Sequence, residues 1–253
     1  MKSVDINCDM GEGFSAYRAG EDEEMVKYVT SASLACGFHG GDPQVMSRAV
    51  ALCRGNGVSI GAHPSFPDLQ GFGRREMVMP KEELVALLVY QVGALEALAR
   101  VQGAEVYHVK PHGALYNMAC TVQDYAEAVA QAAGLLEKVL IAPCGSRMRA
   151  AAESARVRVA CEGFADRGYL SDGRLAPRAA PGGLVTDPER AAENALKMVD
   201  GGRARTLDGG EVEIRVDTVC IHGDTPGAPT IARTVRRRLE EAGVKVRSLR
   251  EIP

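Results

Sequence analysis

The sequence has few aromatic residues, no tryptophan and no large excess of charge. Aromatic residues make up 5% of its 253 residues, and the formal net charge is −3. Binding to nucleic acid needs a basic surface, which this composition does not supply. The seven cysteines form no Cys-x-x-Cys pair, which argues against a disulfide framework or a zinc knuckle and for reduced thiols in the cytoplasm.

Long apolar runs and phosphate-binding motifs are missing as well. No run of consecutive apolar residues approaches the roughly 20 that a membrane span needs, and the first residues lack the apolar stretch of a signal peptide. No Gly-Lys dipeptide occurs, so there is no Walker A loop, and no Gly-x-Gly-x-x-Gly follows a candidate strand. We therefore expect a cytoplasmic protein without a nucleic-acid or membrane partner.

Short β-rich runs alternate with helical patterns from one end of the chain to the other. The candidate strands are near-continuously apolar, as in strands covered on both sides, and span residues 4–9, 32–37, 58–63, 106–112, 139–143, 158–162 and 218–222. The clearest helix, residues 81–102, repeats apolar residues at three- and four-residue spacing. This alternation favours parallel strands joined by helical crossovers.

The connecting loops favour a closed barrel over an open sheet. Connections from helix to strand are short, whereas several from strand to helix are long, such as 64–79 and 165–186. Long loops at several strand ends are typical of a barrel, whose site lies at the carboxyl ends of its strands. Segment 203–216 is predicted to be an inserted hairpin. We expect residues 1–253 to form one α/β domain, a (β/α)7 TIM-like barrel, and leave open an eighth strand at 244–249.

Histidines gather where the candidate strands end. Four of the five, His39, His63, His112 and His222, lie at the ends of different strands, each with an acid or a lysine nearby. Imidazole exchanges protons near neutral pH. Four histidines at one rim therefore favour a functional site over four unrelated structural roles. His108 lies inside a strand, where we expect a hydrogen-bonded core role.

Charged residues lie at the same strand ends. Burying a lone charge costs free energy, so such residues must be paired or functional; they are Asp9, Glu12, Asp42, Lys110, Glu162 and Asp224. A purely structural ion-pair network would also explain them, and arginines on the long loops would also suit solvated positions. A metal held by histidine and carboxylate ligands is a further alternative, although no His-x-His or His-Glu-x-x-His spacing supports it.

Seven blocks at these strand ends, taken together, resemble one protein family. They read NCDMGE (7–12), ACGFHGGDP (35–43), GAHPSFPD (61–68), GFGRR (71–75), VKPHGALYN (109–117), EGFADRGY (162–169) and HGD (222–224). In this order they resemble the LamB/YcsF family, over a match that runs from residue 5 to residue 224. The resemblance implies a distorted seven-stranded β/α barrel, related in architecture to the glycoside hydrolase and deacetylase barrels.

The resemblance also implies an activity, with partners and cofactors. The family is described as the A subunit of bacterial 5-oxoprolinase, a hydrolase that opens the lactam 5-oxo-L-proline to L-glutamate with ATP. It works with subunits B and C, and the missing Walker loop fits a nucleotide site that these partners mostly supply. The implied cofactors are ATP, shared with the partners, and a divalent cation such as Mg²⁺ bound with it.

Within this scheme, residue roles are hypotheses. Opening an amide needs a base and an electrophilic push on oxygen, so Asp9 with His63 or His112 would activate water. Lys110 would stabilise the oxyanion. The residues expected to bind or orient substrate are Asn7, Glu12, His39, Asp42, Arg75, Glu162, Arg167, Arg178, His222 and Asp224. Two rival hypotheses remain, a stand-alone metal-dependent deacetylase or amidohydrolase and a non-catalytic lactam-binding protein.

Overall fold

A computed structural model describes residues 2–252 of the chain. The strands among these residues are β1 (Ser3–Met10), β2 (Ser31–Ala35), β3 (Ser59–His63), β4 (Val106–Val109), β5 (Val139–Ala142), β6 (Val159–Phe164), β7 (Arg203–Arg205), β8 (Glu211–Glu213), β9 (Thr218–Cys220) and β10 (Lys245–Val246). The helices are α1 (Asp22–Met25), α2 (Pro43–Gly55), α3 (Lys81–Val101), α4 (Gly113–Thr121), α5 (Gln123–Leu135), α6 (Arg147–Ser154), α7 (Pro188–Gly201) and α8 (Ala228–Glu241).

Seven parallel strands form a closed barrel. Their order is β1-β2-β3-β4-β5-β6-β9, and β9 pairs in turn with β1. This confirms the predicted (β/α)7 barrel. The candidate eighth strand is reduced to β10, which pairs with Ser3 and Val4 at the start of β1. It cannot insert further because β9 already pairs with β1 from Asp5 to Asn7.

The chain divides into two compact units. Among the described residues, the first comprises 2–8, 20–31 and 161–252, and the second comprises 9–19 and 32–160. In the first unit α7 packs against α8, and in the second α5 packs against α3, α4 and α6. The antiparallel pair β7–β8 lies in the segment for which an inserted hairpin is predicted. That the chain forms a single domain stays a prediction.

Helix α4 is the main element that the sequence pattern does not reveal. The predicted strand 106–112 ends at Val109, and α4 begins soon afterwards at Gly113. Val122 is at once the C-cap of α4 and the N-cap of α5, so no loop separates the two helices. Proline at position 111 has no N–H to continue the strand ladder, which explains the early end of β4.

Helix α3 departs from the expectation that no segment is apolar over the length of a membrane span. Among the described residues it is long and apolar enough, by length and composition, to cross a membrane. Charged and polar residues interrupt the apolar stretches of α3, so the sequence contains no unbroken apolar run of that length there. In the structure α3 packs against α2, α5, β3 and β4, as the core helix of an α/β protein does.

Two cysteines correct the expectation of reduced thiols. Cys144 and Cys161 are disulfide-bonded, whereas Cys8, Cys36, Cys53, Cys120 and Cys220 are free. Spacing along the sequence does not distinguish these two cysteines from the free ones.

Candidate functional site

The second unit contains a buried group of three imidazoles and a carboxylate, which we call the histidine cluster: Glu12, His39, His63 and His112. One ligand atom from each of these side chains lies within 4.8 Å of the others, and the group can hold a metal ion. His63 ends β3, and the other three residues follow β1, β2 and β4. Parallel strands of a barrel bring such positions together at their carboxyl ends.

Two backbone carbonyls fix the orientation of two of the rings. His63 Nδ1 donates to the carbonyl oxygen of Lys110 at 2.7 Å. His112 Nε2 donates to the carbonyl oxygen of Phe72 at 2.8 Å. The remaining nitrogens, His63 Nε2 and His112 Nδ1, face each other at 2.9 Å. Each ring therefore has one nitrogen engaged as a donor and directs the other into the cluster.

His39 completes the cluster beside His112. Its ring is stacked on that of His112, with 3.7 Å between centroids, and its Nε2 lies 3.1 Å from Glu12 Oε1. Its Nδ1 is buried and has no hydrogen-bond partner among residues 2–252. Burial, and then the neighbouring His63, hold the pKa of His39 well below its usual value. The pKa of His112 is lowered in the same way, by burial and then by His39 and His63.

Asp9 and Lys110 form a buried ion pair beside the cluster. Lys110 Nζ lies 2.7 Å from Asp9 Oδ1, and the other carboxylate oxygen lies 3.4 Å from His63 Nε2. Lys110 is 2% exposed and Asp9 is 6% exposed. Water screens a pair so deeply buried only weakly, so its charges act strongly on neighbouring groups.

The loop that holds His112 depends on a glycine. Gly73 has a φ of +63°, and a Cβ there would overlap the Ser65 hydroxyl and lie 2.8 Å from His112 Cδ2. No other residue type fits such a left-handed position against the ring. Phe72, just before it, also has a positive φ of +54°, and this turn presents the Phe72 carbonyl oxygen to His112.

The first unit contains a second buried polar group, the Asp5 network: Asp5, Asn7, Glu162 and Thr218. Asn7 Nδ2 donates to Glu162 Oε1 at 3.1 Å and to the Thr218 hydroxyl at 2.7 Å. That hydroxyl donates to Asp5 Oδ2 at 2.5 Å, and the hydroxyls of Thr30 and Ser31 donate to Asp5 Oδ1. Burial raises the pKa of Asp5 to about 6, against the opposing effect of these hydrogen bonds.

His222 in the first unit is held by an acid that the strand-end pattern does not single out. Its Nδ1 lies 3.0 Å from Asp166 Oδ1, and the Thr225 hydroxyl donates to Asp166 Oδ2 at 2.6 Å. Burial alone would raise the pKa of Asp166, but His222 and the hydrogen bonds together lower it. Asp166 lies inside the EGFADRGY block, which is the signal that could have identified it.

Two arginines expected to bind substrate have different surroundings in the first unit. Arg178 forms an ion pair with Asp224, with 3.2 Å between Nη1 and each carboxylate oxygen. Arg167 is buried and donates to the carbonyl oxygens of Ala176 and Gly183. Arg178 is therefore the more accessible of the two, whereas Arg167 connects two positions of the loop backbone through hydrogen bonds.

Two predicted site residues of the second unit lie outside the histidine cluster. The side chain of Asp42 caps helix α2, accepting from the backbone N–H groups of Gln44 and Val45. Arg75 forms an ion pair with Asp68, and its side chain is 64% exposed. Their substrate-binding roles stay predictions, as do those of the other site residues. The predicted core role of His108 is confirmed by its contact of 3.1 Å with the Ser33 hydroxyl.

Known structures share this architecture. The crystal structure of lactam utilization protein from Thermus thermophilus superposes with a TM-score of 0.93 at 49% identity, covering 98% of this chain and 100% of that one. A polysaccharide deacetylase from Bacillus cereus reaches a TM-score of 0.51 at 12% identity, covering 99% of this chain and 93% of that one. The second likeness concerns the fold alone.

Curated relatives and a family model match almost the whole sequence. The A subunit of 5-oxoprolinase from Thermus thermophilus is 50% identical over 247 residues, which are 97% of this chain and 99% of the relative. The A subunit of 5-oxoprolinase from Pyrococcus furiosus is 48% identical over 96% of both chains. The model of the LamB/YcsF family matches residues 4–253. The chain belongs to the LamB/YcsF family.

Proposed function

We propose that this chain is the A subunit of a 5-oxoprolinase and opens 5-oxo-L-proline to L-glutamate in an ATP-dependent hydrolysis. The observation that carries the proposal is the near-50% identity, over almost their whole length, to relatives named as the A subunit of 5-oxoprolinase. The buried cluster of imidazoles, carboxylates and one ammonium group offers the chemistry that opening an amide requires. The cytoplasm, where ATP is available, is the proposed location.

The reaction needs a base and a group that stabilises negative charge on oxygen. Water attacks the ring carbonyl, the C–N bond breaks, the nitrogen becomes the amine of glutamate and the carbonyl carbon becomes its side-chain carboxylate. Asp9 Oδ2 and His63 Nε2 lie 3.4 Å apart, so a water beside this pair, in contact with both atoms, can transfer its proton to either. The Lys110 carbonyl holds His63 Nδ1 as a donor, which leaves Nε2 as the accepting nitrogen of the neutral ring.

Lys110 supplies the positive charge in this proposal. Its ammonium group lies next to Asp9, so it is close to any water that Asp9 activates. A preorganised charge in a site that excludes water stabilises a developing oxyanion more than it would in solution. His112, fixed by the Phe72 carbonyl, orients His63 through the contact between their rings.

The carboxylate of 5-oxoproline needs a cation to bind it. Arg178 fits this role best among the predicted arginines, because its guanidinium is partly exposed and already pairs with a carboxylate, that of Asp224. A substrate carboxylate can take the place of the Asp224 carboxylate on this guanidinium. Arg167 is already engaged with backbone carbonyls and is assigned a positioning role.

The sequence contains no Walker A loop and no Gly-x-Gly-x-x-Gly after a candidate strand. The start of helix α6 offers backbone N–H groups to an anion, but there the Ser146 side chain already accepts from the Arg149 N–H. We therefore assign the nucleotide, and the Mg²⁺ that accompanies it, mainly to the partner subunits B and C. Relatives named as one subunit of an enzyme imply that such partners exist, and this chain would supply the hydrolytic part of the reaction.

An assay of glutamate release from 5-oxo-L-proline tests the proposal. Turnover is expected only when ATP and the partner subunits are present. With them, Asp9→Asn and Lys110→Met should each lower kcat by at least about 100-fold, the scale of losing a base or an oxyanion donor. Turnover without ATP and partners, but sensitive to chelation, would indicate a metal-dependent amidohydrolase instead. Unchanged kcat in the variants, with altered KM alone, would indicate a non-catalytic lactam-binding protein.

A further inference from the structure

We propose that the histidine cluster is a binding site for one divalent transition-metal ion, Zn²⁺, with ligands from Glu12, His63 and His112, while the His39 ring stacks on that of His112. The inference goes beyond the proposed function, because it concerns what these side chains bind. A Zn²⁺ ion on His63 Nε2 would leave Asp9 as the base that activates water. It rests on the orientation of the rings, the distances between their ligand atoms and the charges around them.

The orientation of two rings leaves a place that only a cation can fill. His63 Nδ1 and His112 Nε2 both donate to backbone carbonyls, which accept only. If both rings are neutral, His63 Nε2 and His112 Nδ1 each carry a lone pair, and these nitrogens face each other at 2.9 Å. Two facing lone pairs repel each other, so a positive centre is needed beside them.

The pattern of carbonyl contacts is that of metal-bound histidines. A histidine that binds a metal through one nitrogen usually donates its other N–H to a carbonyl or a carboxylate, which fixes the tautomer and orients the ring. His63 and His112 both do so, and through backbone groups that cannot rotate away. The left-handed turn at Phe72 and Gly73 serves to place one of these carbonyls.

The distances suit a four-coordinate ion. Ligand atoms about 2.0–2.1 Å from a tetrahedral Zn²⁺ lie roughly 3.3 Å from one another. Within the cluster, His63 Nε2 and His112 Nδ1 are 2.9 Å apart, and His112 Nδ1 and Glu12 Oε1 are 3.5 Å apart. The rings of His63 and His112 lie at 88° to each other, so both ring planes can contain one ion. Imidazole with one carboxylate is a donor set that favours zinc over Mg²⁺ or Ca²⁺.

The charges beside the cluster also favour a cation. Among residues 2–252, the buried carboxylates of Glu12 and Asp9 lie in or beside the cluster, against the single buried ammonium group of Lys110. The His39 ring keeps its Nε2 3.1 Å from Glu12 Oε1 and so helps to orient that carboxylate. The alternative cation is a proton shared by His63 and His112, and the experiment separates the two.

Zinc titration of the purified full-length chain tests the site, with Zn²⁺ alone as the probe. Chelator-treated protein should bind one Zn²⁺ per chain in calorimetry, and Zn²⁺ should raise its thermal unfolding midpoint. Co²⁺ in its place should give the visible absorption of a four-coordinate ion. His63→Gln, His112→Gln and the milder Glu12→Gln should each weaken Zn²⁺ binding by more than about 100-fold.

The matched control is His108→Gln, which replaces a buried histidine that contacts Ser33 and lies outside the cluster. Circular dichroism of each metal-free variant establishes that it is folded before binding is measured. The control should bind one Zn²⁺ with unchanged affinity. No stoichiometric binding by the wild type, or equal binding by the cluster variants, would overturn the proposal. A single proton shared by His63 and His112 in the ¹⁵N NMR spectrum, without metal uptake, would assign the contact to that proton.

Discussion

The Asp5 network and the histidine cluster are both buried polar groups, but they differ in how their hydrogen bonds are completed. In the Asp5 network hydroxyl and amide groups donate to the carboxylates of Asp5 and Glu162, and Asp5 accepts from three hydroxyls. In the histidine cluster two ring nitrogens face each other and a third has no partner among the described residues. A satisfied network stabilises a fold, whereas an incomplete one indicates a place for a ligand or a reacting group.

The largest effect should come from breaking the charge balance beside the histidine cluster. Lys110→Met leaves the Asp9 carboxylate buried without its ammonium partner 2.7 Å away. Removing one member of a buried ion pair typically costs about 3–5 kcal/mol, so we expect a loss of this size in the free energy of unfolding measured with urea.

The double variant Asp9→Asn/Lys110→Met is the control for this prediction. Because the double variant has no unpaired carboxylate, its free energy of unfolding should be about 1–3 kcal/mol higher than that of Lys110→Met, as expected for coupled neighbours in a double-mutant cycle. Additive losses from the two changes would mean that the pair is not coupled, and that the charges beside the cluster are less important than its burial suggests.

The next effect comes from the loop that shapes the cluster. Gly73→Ala places a Cβ at positive φ and within 2.9 Å of three side chains, those of Ser65, His112 and His39. We expect a loss of about 2–4 kcal/mol, from left-handed strain and from overpacking. Gly57→Ala is the matched control, because Gly57 has a φ of +69° and nothing within 4 Å of an added Cβ.

In the control Gly57→Ala only the left-handed backbone strain should lower the free energy of unfolding, by about 1–2 kcal/mol. Urea unfolding of both variants measures the difference, which isolates the steric part. Equal losses would show that the rings of His39 and His112 move aside easily, and that the cluster is less rigid than the carbonyl contacts imply.

The Asp5 network is probed by pH. Because the pKa of Asp5 is raised from 3.8 to about 6, the neutral carboxyl is favoured in the folded state. Its stabilising contribution is present below pH 4 and is lost as the pH rises through about 6. At 1.36 kcal/mol per pKa unit, this loss amounts to about 3 kcal/mol.

Unfolding free energies of wild type and Asp5→Asn between pH 4 and pH 7.5 measure this effect. As the pH rises across this window, the unfolding free energy of the wild type should fall relative to that of the variant. Any cost of the substitution that does not depend on pH shifts the variant's whole profile and leaves this difference in slope unchanged. Parallel profiles would mean that Asp5 is ionised in the folded protein, and that the network does not differ from the cluster in the way described above.

The sequence predicts the fold well because periodicity and loop lengths reflect burial directly. It predicts which residues meet in the histidine cluster less completely. The motif blocks contain Glu12, His39, His63 and His112, but the groups that orient the rings are the backbone carbonyls of residues 72 and 110, which no side-chain pattern records.

At Asp42 one sequence pattern has two explanations, the start of a helix and a site residue. An acid followed by proline is a common start of a helix, and the side chain of Asp42 indeed caps α2. Arg75 is similar, because a sequence cannot tell that its partner Asp68 lies seven residues earlier on the same loop. Both positions depend on local backbone geometry, which strand and helix patterns do not describe.

The smallest expected effect separates the buried cluster from its exposed surroundings. Arg75 pairs with the buried Asp68, but the Arg75 side chain itself is 64% exposed. Without the guanidinium, Asp68 would still accept from the backbone N–H groups of residues 71 and 75, so the loss should be small. Arg75→Met should therefore shift the thermal unfolding midpoint by no more than about 2 °C. If Arg75 nevertheless binds substrate or a phosphate, KM for 5-oxoproline or ATP in the assembled enzyme should rise several-fold while the midpoint stays unchanged. Unchanged KM together with an unchanged midpoint would remove Arg75 from the site and leave the buried groups as the part of this unit that acts on substrate.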